Sequence, residues 1–161
     1  IDITDVPVPE GQRHNSLLRT IGVGMMGLAD YLAYREIPYT QSGEYVEILA
    51  EKFGYYCTMA SIKLAEERGA YPLYEGSEWS KGKILCREKE WFKENSKMDW
   101  EPVFEALSEH GIRNSHITAI APNTSSSIVQ GCTPSVLPVF SKFYFDNNSN
   151  GTVPVCPPFI N

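Results

Sequence analysis

The residues best placed to do chemistry are four consecutive hydroxyls, Thr124, Ser125, Ser126 and Ser127, directly after Pro122-Asn123. The chain before them, His116 to Ala121, alternates polar and apolar and then turns fully apolar, which predicts a strand entering a core. Pro122 stops that strand because it has no N–H for a ladder. Asn123 or Thr124 suits the N-cap of a helical turn through Ile128-Val129-Gln130. A helix start leaves backbone N–H groups without partners and carries partial positive charge. With hydroxyl donors around it, such an end is a cradle for a phosphate. The same residues also read as a Ser/Thr-rich capped turn that holds nothing.

No other cluster carries comparable chemistry. The histidines His14, His110 and His116 have no motif around them, and His110, just before Gly111, reads as a surface residue favoured by a helix dipole. Glu66-Glu67 reads as a solvated face. The cysteines Cys57, Cys86, Cys132 and Cys156 are widely spaced, with no Cys-x-x-Cys pair or zinc pattern, and reduced thiols are expected. Gly22-Val23-Gly24-Met25-Met26-Gly27 spells the dinucleotide pattern G-x-G-x-x-G. That chemistry needs a strand before the first glycine and a helix after the third. The residues ahead of Gly22 offer at best a short strand, so we expect a closely packed helix, each glycine costing about 1 kcal/mol of propensity.

The elements that must position the hydroxyl loop come from 161 residues, enough for one domain with its own core. Hydrophobic content of 42% and charged content of 21% are those of a globular protein. A net charge of -6 argues against a nucleic-acid groove. No apolar run reaches membrane-spanning length and Ile1 opens no signal peptide, so we expect a cytoplasmic protein without a membrane role. The sequons at Asn123, Asn147 and Asn150 then read as chance.

Along the chain, residues 1–16 read as an extended arm with Pro7 and Pro9, ending in a cap at Asn15 or Ser16. A helix is predicted over Leu17 to Tyr34, and a second over Gly43 to Arg68, capped by Ser42 and closed by Gly69. The buried face of the second is predicted as Val46, Leu49, Ala50, Phe53, Cys57, Ala60 and Leu64. Residues 70–97 are mixed and aromatic, with Trp79, Trp91 and Phe92 as candidate anchors and Arg87 to Glu90 as an exposed helix surface. Asp99 caps a helix Trp100 to His110 with an apolar stripe of Trp100, Val103, Phe104 and Leu107. After the loop, Val136 to Phe145 reads as a strand, Asp146 to Gly151 as a hairpin turn, and Thr152 to Val155 as an edge return strand before Pro157 to Asn161.

Three words of the chain resemble one family. Arg113-Asn114-Ser115, Thr118 to Ser126 and Pro134 to Ser141, together with Arg19 to Ala33 and with Leu64 to Pro72, closely resemble the C-terminal part of the large, catalytic subunit of ribonucleotide reductase. The resemblance implies an α/β fold, part of a ten-stranded α/β barrel, helix-rich in residues 1–161 with a few short strands. It implies one piece of the barrel domain: arm 1–16, a mainly helical 17–111, then strand, phosphate loop and hairpin over 112–161.

It also implies that Pro122, Asn123, Thr124, Ser125, Ser126 and Ser127 hold the phosphates of a ribonucleoside diphosphate. One family branch has an acid where Thr124 stands, so the backbone role carries over more firmly than each hydroxyl. The family's radical cysteine, reducing cysteine pair, asparagine and glutamate lie before the matched region, and its C-terminal tyrosines and redox cysteines lie after it. We therefore expect a piece of the large chain, truncated or from a split gene, inactive alone, binding no cofactor and prone to self-association. The complete enzyme would need the rest of the large chain, a radical-generating small subunit holding a metal (a cobalamin is the lesser alternative) and a dithiol from thioredoxin or glutaredoxin. Asn123-Thr124-Ser125-Ser126 leans toward the metal-subunit-dependent class I. Two other readings stay open: a stand-alone nucleotide- or sugar-phosphate enzyme, and a non-catalytic helical interaction module.

Overall fold

A computed structural model describes residues 1–148 and 151–156. In order they form helices α1 (Pro9–Leu18), α2 (Leu28–Tyr34), α3 (Gly43–Arg68), α4 (Lys89–Asn95), α5 (Glu101–His110) and α6 (Thr124–Gln130), then strands β1 (Tyr144–Asn148) and β2 (Gly151–Val155). A short 3₁₀ turn, Tyr39–Gln41, precedes α3. The described residues are thus helix-rich, with one two-stranded antiparallel sheet and one isolated parallel bridge, Val23 to Thr118. They divide into two units, residues 1–23 with 47–118 and residues 24–46 with 119–161.

The first unit is built on an apolar core. The predicted stripe of α5 is realised: Trp100, Val103, Phe104 and Leu107 are all buried. They meet Ile62, Tyr71, Ile84, Phe92, Ile112 and Ile117. Phe92 stacks at 4.4 Å from Trp100 and stands edge-on to Phe104 at 5.5 Å, orientations that suit aromatic quadrupoles. The capping of α5 shifts by one residue. Trp100 occupies the N-cap, and Asp99 Oδ1 accepts the Glu101 N–H at 3.0 Å. Of the expected anchors, Phe92 is buried, Trp79 donates its indole N–H to the Ser115 carbonyl at 2.9 Å, and Trp91 is half exposed beneath the Arg87 guanidinium.

Three expectations for this unit need correction. The arm is not extended throughout, since α1 already starts at Pro9. Proline at the first helical position loses no useful N–H and brings its own helical φ, so Pro9 opens a helix inside the stretch expected to be an extended arm. The helix predicted over Leu17 to Tyr34 does not exist as one element. Arg19, at φ 51°, ends α1, and Ile21 to Val23 run extended. Ile21 N–H donates to His116 O and Val23 N–H to Ile117 O, so pairing across 95 residues outweighs the local helical spacing. The strand predicted over His116 to Ala121 contracts to this same short extended pairing.

Helix α3 has the predicted length but buries a different face. Gly54, Thr58, Ser61, Ile62 and Ala65 are inside, while Ala50, Ala60 and Leu64 are exposed. Small residues allow close approach, and the buried hydroxyls are satisfied locally. Thr58 donates to Gly54 O, and Ser61 donates to Asn114 Oδ1, both at 2.8 Å. The C-terminus closes as expected at Gly69, and Arg113 donates to the Arg68 and Gly69 carbonyls there.

The second unit has little apolar core: Leu28, Ala29 and Leu32 are its buried hydrophobic residues among those described. Ser42 stands just before α3, and its hydroxyl donates back to Tyr39 O at 2.7 Å. The strand predicted over Val136 to Phe145 begins only at Tyr144, and Asp146, Asn147 and Asn148, assigned to the turn, are paired in β1. The return strand is present, with Pro154 opposite Phe145. Ser149, Asn150 and Pro157 to Asn161 lie outside the described residues.

Candidate phosphate-binding loop

The hydroxyl-rich segment forms a short helix start in the second unit. Asn123, at φ 53° and ψ 30°, turns the chain from Pro122 into α6, and no side chain caps that helix. The predicted Asn123 cap is therefore positional only. A left-handed residue aims its side chain away from the first-turn amides, leaving the N–H groups of Thr124, Ser125 and Ser126 without a capping oxygen. Pro122, Thr124, Ser125 and Ser126 are exposed. Ser127 is different: it is buried, and its hydroxyl donates to Thr124 O at 2.8 Å. The structure thus gathers the backbone and hydroxyl donors of Thr124, Ser125 and Ser126 on one accessible turn and turns Ser127 inward.

The loop contains no charged side chain between Ala119 and Ser141. Any attraction for an anion comes from the helix end and from hydroxyl dipoles, which suits a phosphate held by directional hydrogen bonds.

The far end of α6 is clamped by α2. Cys132 N–H donates to Ser127 O, and the next residue, Thr133, is gripped on both sides of its peptide. Its carbonyl accepts the Gly27 N–H at 2.8 Å, and its N–H donates to Asp30 Oδ2 at 2.5 Å. Asp30 and Thr133 are both buried. The glycine word Gly22 to Gly27 serves this packing. A Cβ on Gly24 would come within 2.5 Å of the Ala119 carbonyl, and Gly27 holds φ 77° at the N-cap of α2. The word is followed by a helix, as a dinucleotide site would be. The first turn of that helix, however, carries the buried Asp30 carboxylate, which occupies the end where a pyrophosphate would sit.

Asp30 was not legible as a site-building residue. Asp30 stands in the first turn of α2, but the helix predicted over Leu17 to Tyr34 put it in the interior, where a first-turn carboxylate signal could not be read. Burial and Asp30 together push the nearby Cys132 thiol up, and burial pushes Cys57 up, so neither is poised as a thiolate nucleophile. Two of the three histidines are drawn into one hydrogen-bonded row in the first unit, His14 to Thr20 at 3.2 Å, Thr20 to Ser115 and Ser115 to His116 at 3.1 Å. His110 stands apart beside Glu109. Among the described residues no three His, Cys, Asp or Glu gather as metal ligands, and no helix is long and apolar enough to cross a membrane.

The family described as "Ribonucleotide reductase, barrel domain" matches residues 1–160 of the sequence. The chain belongs to this reductase barrel-domain family. Its similarity to the Synechocystis sp. ribonucleoside-diphosphate reductase subunit alpha is 51% identity, covering 99% of this chain and 21% of that protein. To the Helicobacter pylori subunit alpha the identity is 34%, over 100% of this chain and 22% of that one. To the Encephalitozoon cuniculi ribonucleoside-diphosphate reductase large chain it is 36%, over 89% and 19%. This reductase-family chain therefore spans about a fifth of the length of the relatives it matches.

Proposed function

We infer that residues 1–161 act within the large subunit of a ribonucleoside-diphosphate reductase, where Pro122 to Ser126 hold the substrate's phosphates. The observation that carries this reading is the uncapped, exposed start of α6 in a chain whose sequence matches the reductase barrel domain nearly end to end. Amides and hydroxyls of Thr124, Ser125 and Ser126 donate to phosphate oxygens, and Asn123 sets the turn. Ser127 contributes by bracing the turn from inside. The Asp30–Thr133 clamp fixes the loop's C-terminal end so that the donors converge.

In this reading the loop fixes one end of the nucleotide, and the ribose is reduced by groups on the remainder of the large chain. The radical comes from a metal-bearing small subunit of class I type, and electrons come from a dithiol of the thioredoxin or glutaredoxin kind. The enzyme works in the cytoplasm on a ribonucleoside diphosphate such as CDP and binds no nucleic acid.

The test is a graft. Residues 1–161 replace the matched segment of the Synechocystis subunit alpha, and CDP reduction is assayed with that subunit's own small subunit and a dithiol. The graft should turn over. Ser125→Ala with Ser126→Ala should raise KM for CDP about a hundredfold, with kcat less changed, since each of the two lost hydrogen bonds to a charged group is worth roughly 1.5 kcal/mol, or about tenfold. A folded graft without activity, or one whose KM ignores the double substitution, would overturn the reading.

A further inference from the structure

Helix α6 lies between two residues held in an unfavourable backbone shape. Asn123 turns into it at φ 53°, and Ser135, which is buried, stands at φ 52° in the segment that leaves it. In the left-handed region a Cβ crowds the following carbonyl, so a residue other than glycine stays there only where its surroundings over-determine it.

Two side chains of the second unit supply those surroundings for Ser135. Asp30 Oδ2 accepts the Thr133 N–H, two residues before it. One residue after it, the Val136 carbonyl accepts the Tyr39 hydroxyl at 2.6 Å, from a residue 97 positions away. Between these grips the chain makes a turn, with Leu137 N–H donating to Pro134 O at 3.3 Å. Tyr39 is itself fixed from behind. Pro38 precedes it at φ -58°, and its carbonyl accepts the Ser42 N–H at 3.2 Å and the Ser42 hydroxyl at 2.7 Å. The Tyr39 ring is 40% exposed, so this residue serves the unit more through its hydroxyl than through apolar burial.

The helix that these bonds serve cannot hold itself. It has seven residues and no side-chain cap, and a helix that short is not stable on its own hydrogen bonds. Its orientation depends on what holds its ends. At the C-terminal end the holders are Cys132 N–H on Ser127 O, the Asp30 bond and the Tyr39 bond.

We propose that Tyr39 is a positioning residue for substrate binding. Its hydroxyl pins the Val136 carbonyl and, with the Asp30–Thr133 bond, holds the left-handed turn at Ser135, so that the donors of Thr124, Ser125 and Ser126 keep one orientation. Tyr39 acts through the loop and touches no reacting atom. The proposal rests on the phosphate-loop reading.

Tyr39→Phe removes one oxygen and keeps the ring, so it tests the bond without opening a cavity. In the Synechocystis graft it should raise KM for CDP about fivefold with kcat less changed, the effect of one hydrogen bond. Amide exchange at Leu137 should quicken by a similar factor. A 4-aminophenylalanine introduced at position 39 keeps a donor in the same place and should bring KM back toward that of the parent graft. In the background of Ser125→Ala with Ser126→Ala, Tyr39→Phe should raise KM less than it does alone, because fewer donors are left to aim. Urea midpoints are measured on every variant. A serine pair that raises KM beside a Tyr39→Phe that does not would overturn the positioning role and leave the loop reading standing. A lowered urea midpoint with unchanged KM would make Tyr39 a residue of stability alone and would overturn it too, as would strictly multiplicative effects of the two changes or unchanged exchange at Leu137. If the serine pair leaves KM unchanged, the loop reading falls and takes this proposal with it.

Discussion

The two units of this chain are held by different forces. The first has ten buried apolar residues in one cluster, centred on Trp100, Val103 and Ile112. The second buries Leu28, Ala29 and Leu32, and otherwise buries polar groups: Asp30, Ser42, Ser127, Thr133 and Ser135. Its exposed apolar residues include Ile120 at 80%, Val129 at 83% and Phe140 at 76%. One unit is stabilised by area removed from water, and the other is positioned by hydrogen bonds to backbone. That division suits the proposed phosphate loop: directional bonds fix where the start of α6 stands without burying it.

The comparison breaks most visibly at Trp100. Trp100→Ala should cost about 3–5 kcal/mol of unfolding free energy in a urea titration, because it empties the core and removes one of the donors to Glu51. A loss below about 1 kcal/mol would mean that the aromatic cluster is not what stabilises the first unit.

Glu51 sharpens the same point with a polar residue inside the apolar unit. Its carboxylate accepts the Trp100 indole N–H at 3.0 Å and the amides of Lys97 and Met98. Burial pushes its pKa up, but the donors Trp100, Met98 and Lys97 outweigh burial and hold it below the usual 4.5. A lowered folded-state pKa adds stability above 4.5 that is lost as pH falls through the folded value. Glu51→Gln keeps an acceptor oxygen and loses only the charge, so after solvent screening it should cost no more than about 1 kcal/mol at pH 7. The gap from wild type should narrow in acid, as read from paired urea midpoints at pH 7 and pH 3.5. A gap independent of pH would refute the charge-based account.

A small effect on stability is also expected in the second unit. Asp30→Ala should change global stability by only about 1 kcal/mol while speeding amide exchange at Thr133 about tenfold. Unchanged exchange there would remove the clamp from the account of how the loop is positioned.

Much of the fold was readable where a local cause was sufficient. The α5 stripe, the length of α3, its close at Gly69 and Arg68, and the return strand of the hairpin follow from spacing, a left-handed glycine and turn residues. The start of α6 was readable for the same reason, and so were the exposed hydroxyls of Thr124, Ser125 and Ser126. Ser127 looked like a fourth equivalent donor because nothing local says that its hydroxyl folds back on Thr124. Pro9 was misread because a proline that forbids a helix interior is favourable at a helix start.

What the sequence alone determined are the choices governed by neighbours within a turn or two: where helices stop, which positions repeat, and where a chain of hydroxyls follows a proline. The tertiary structure decided the choices between near-equal alternatives. Both faces of α3 are apolar enough to bury, and the small residues Gly54, Thr58 and Ser61 won because they admit close packing and because Asn114, 53 residues away, satisfies Ser61. The word Gly22 to Gly27 could coil or extend, and its first half extends because His116 and Ile117 accept its amides. Such outcomes depend on partners brought together only by folding, and the free energy of a hydrogen bond or a packed surface is assigned only once both sides are present.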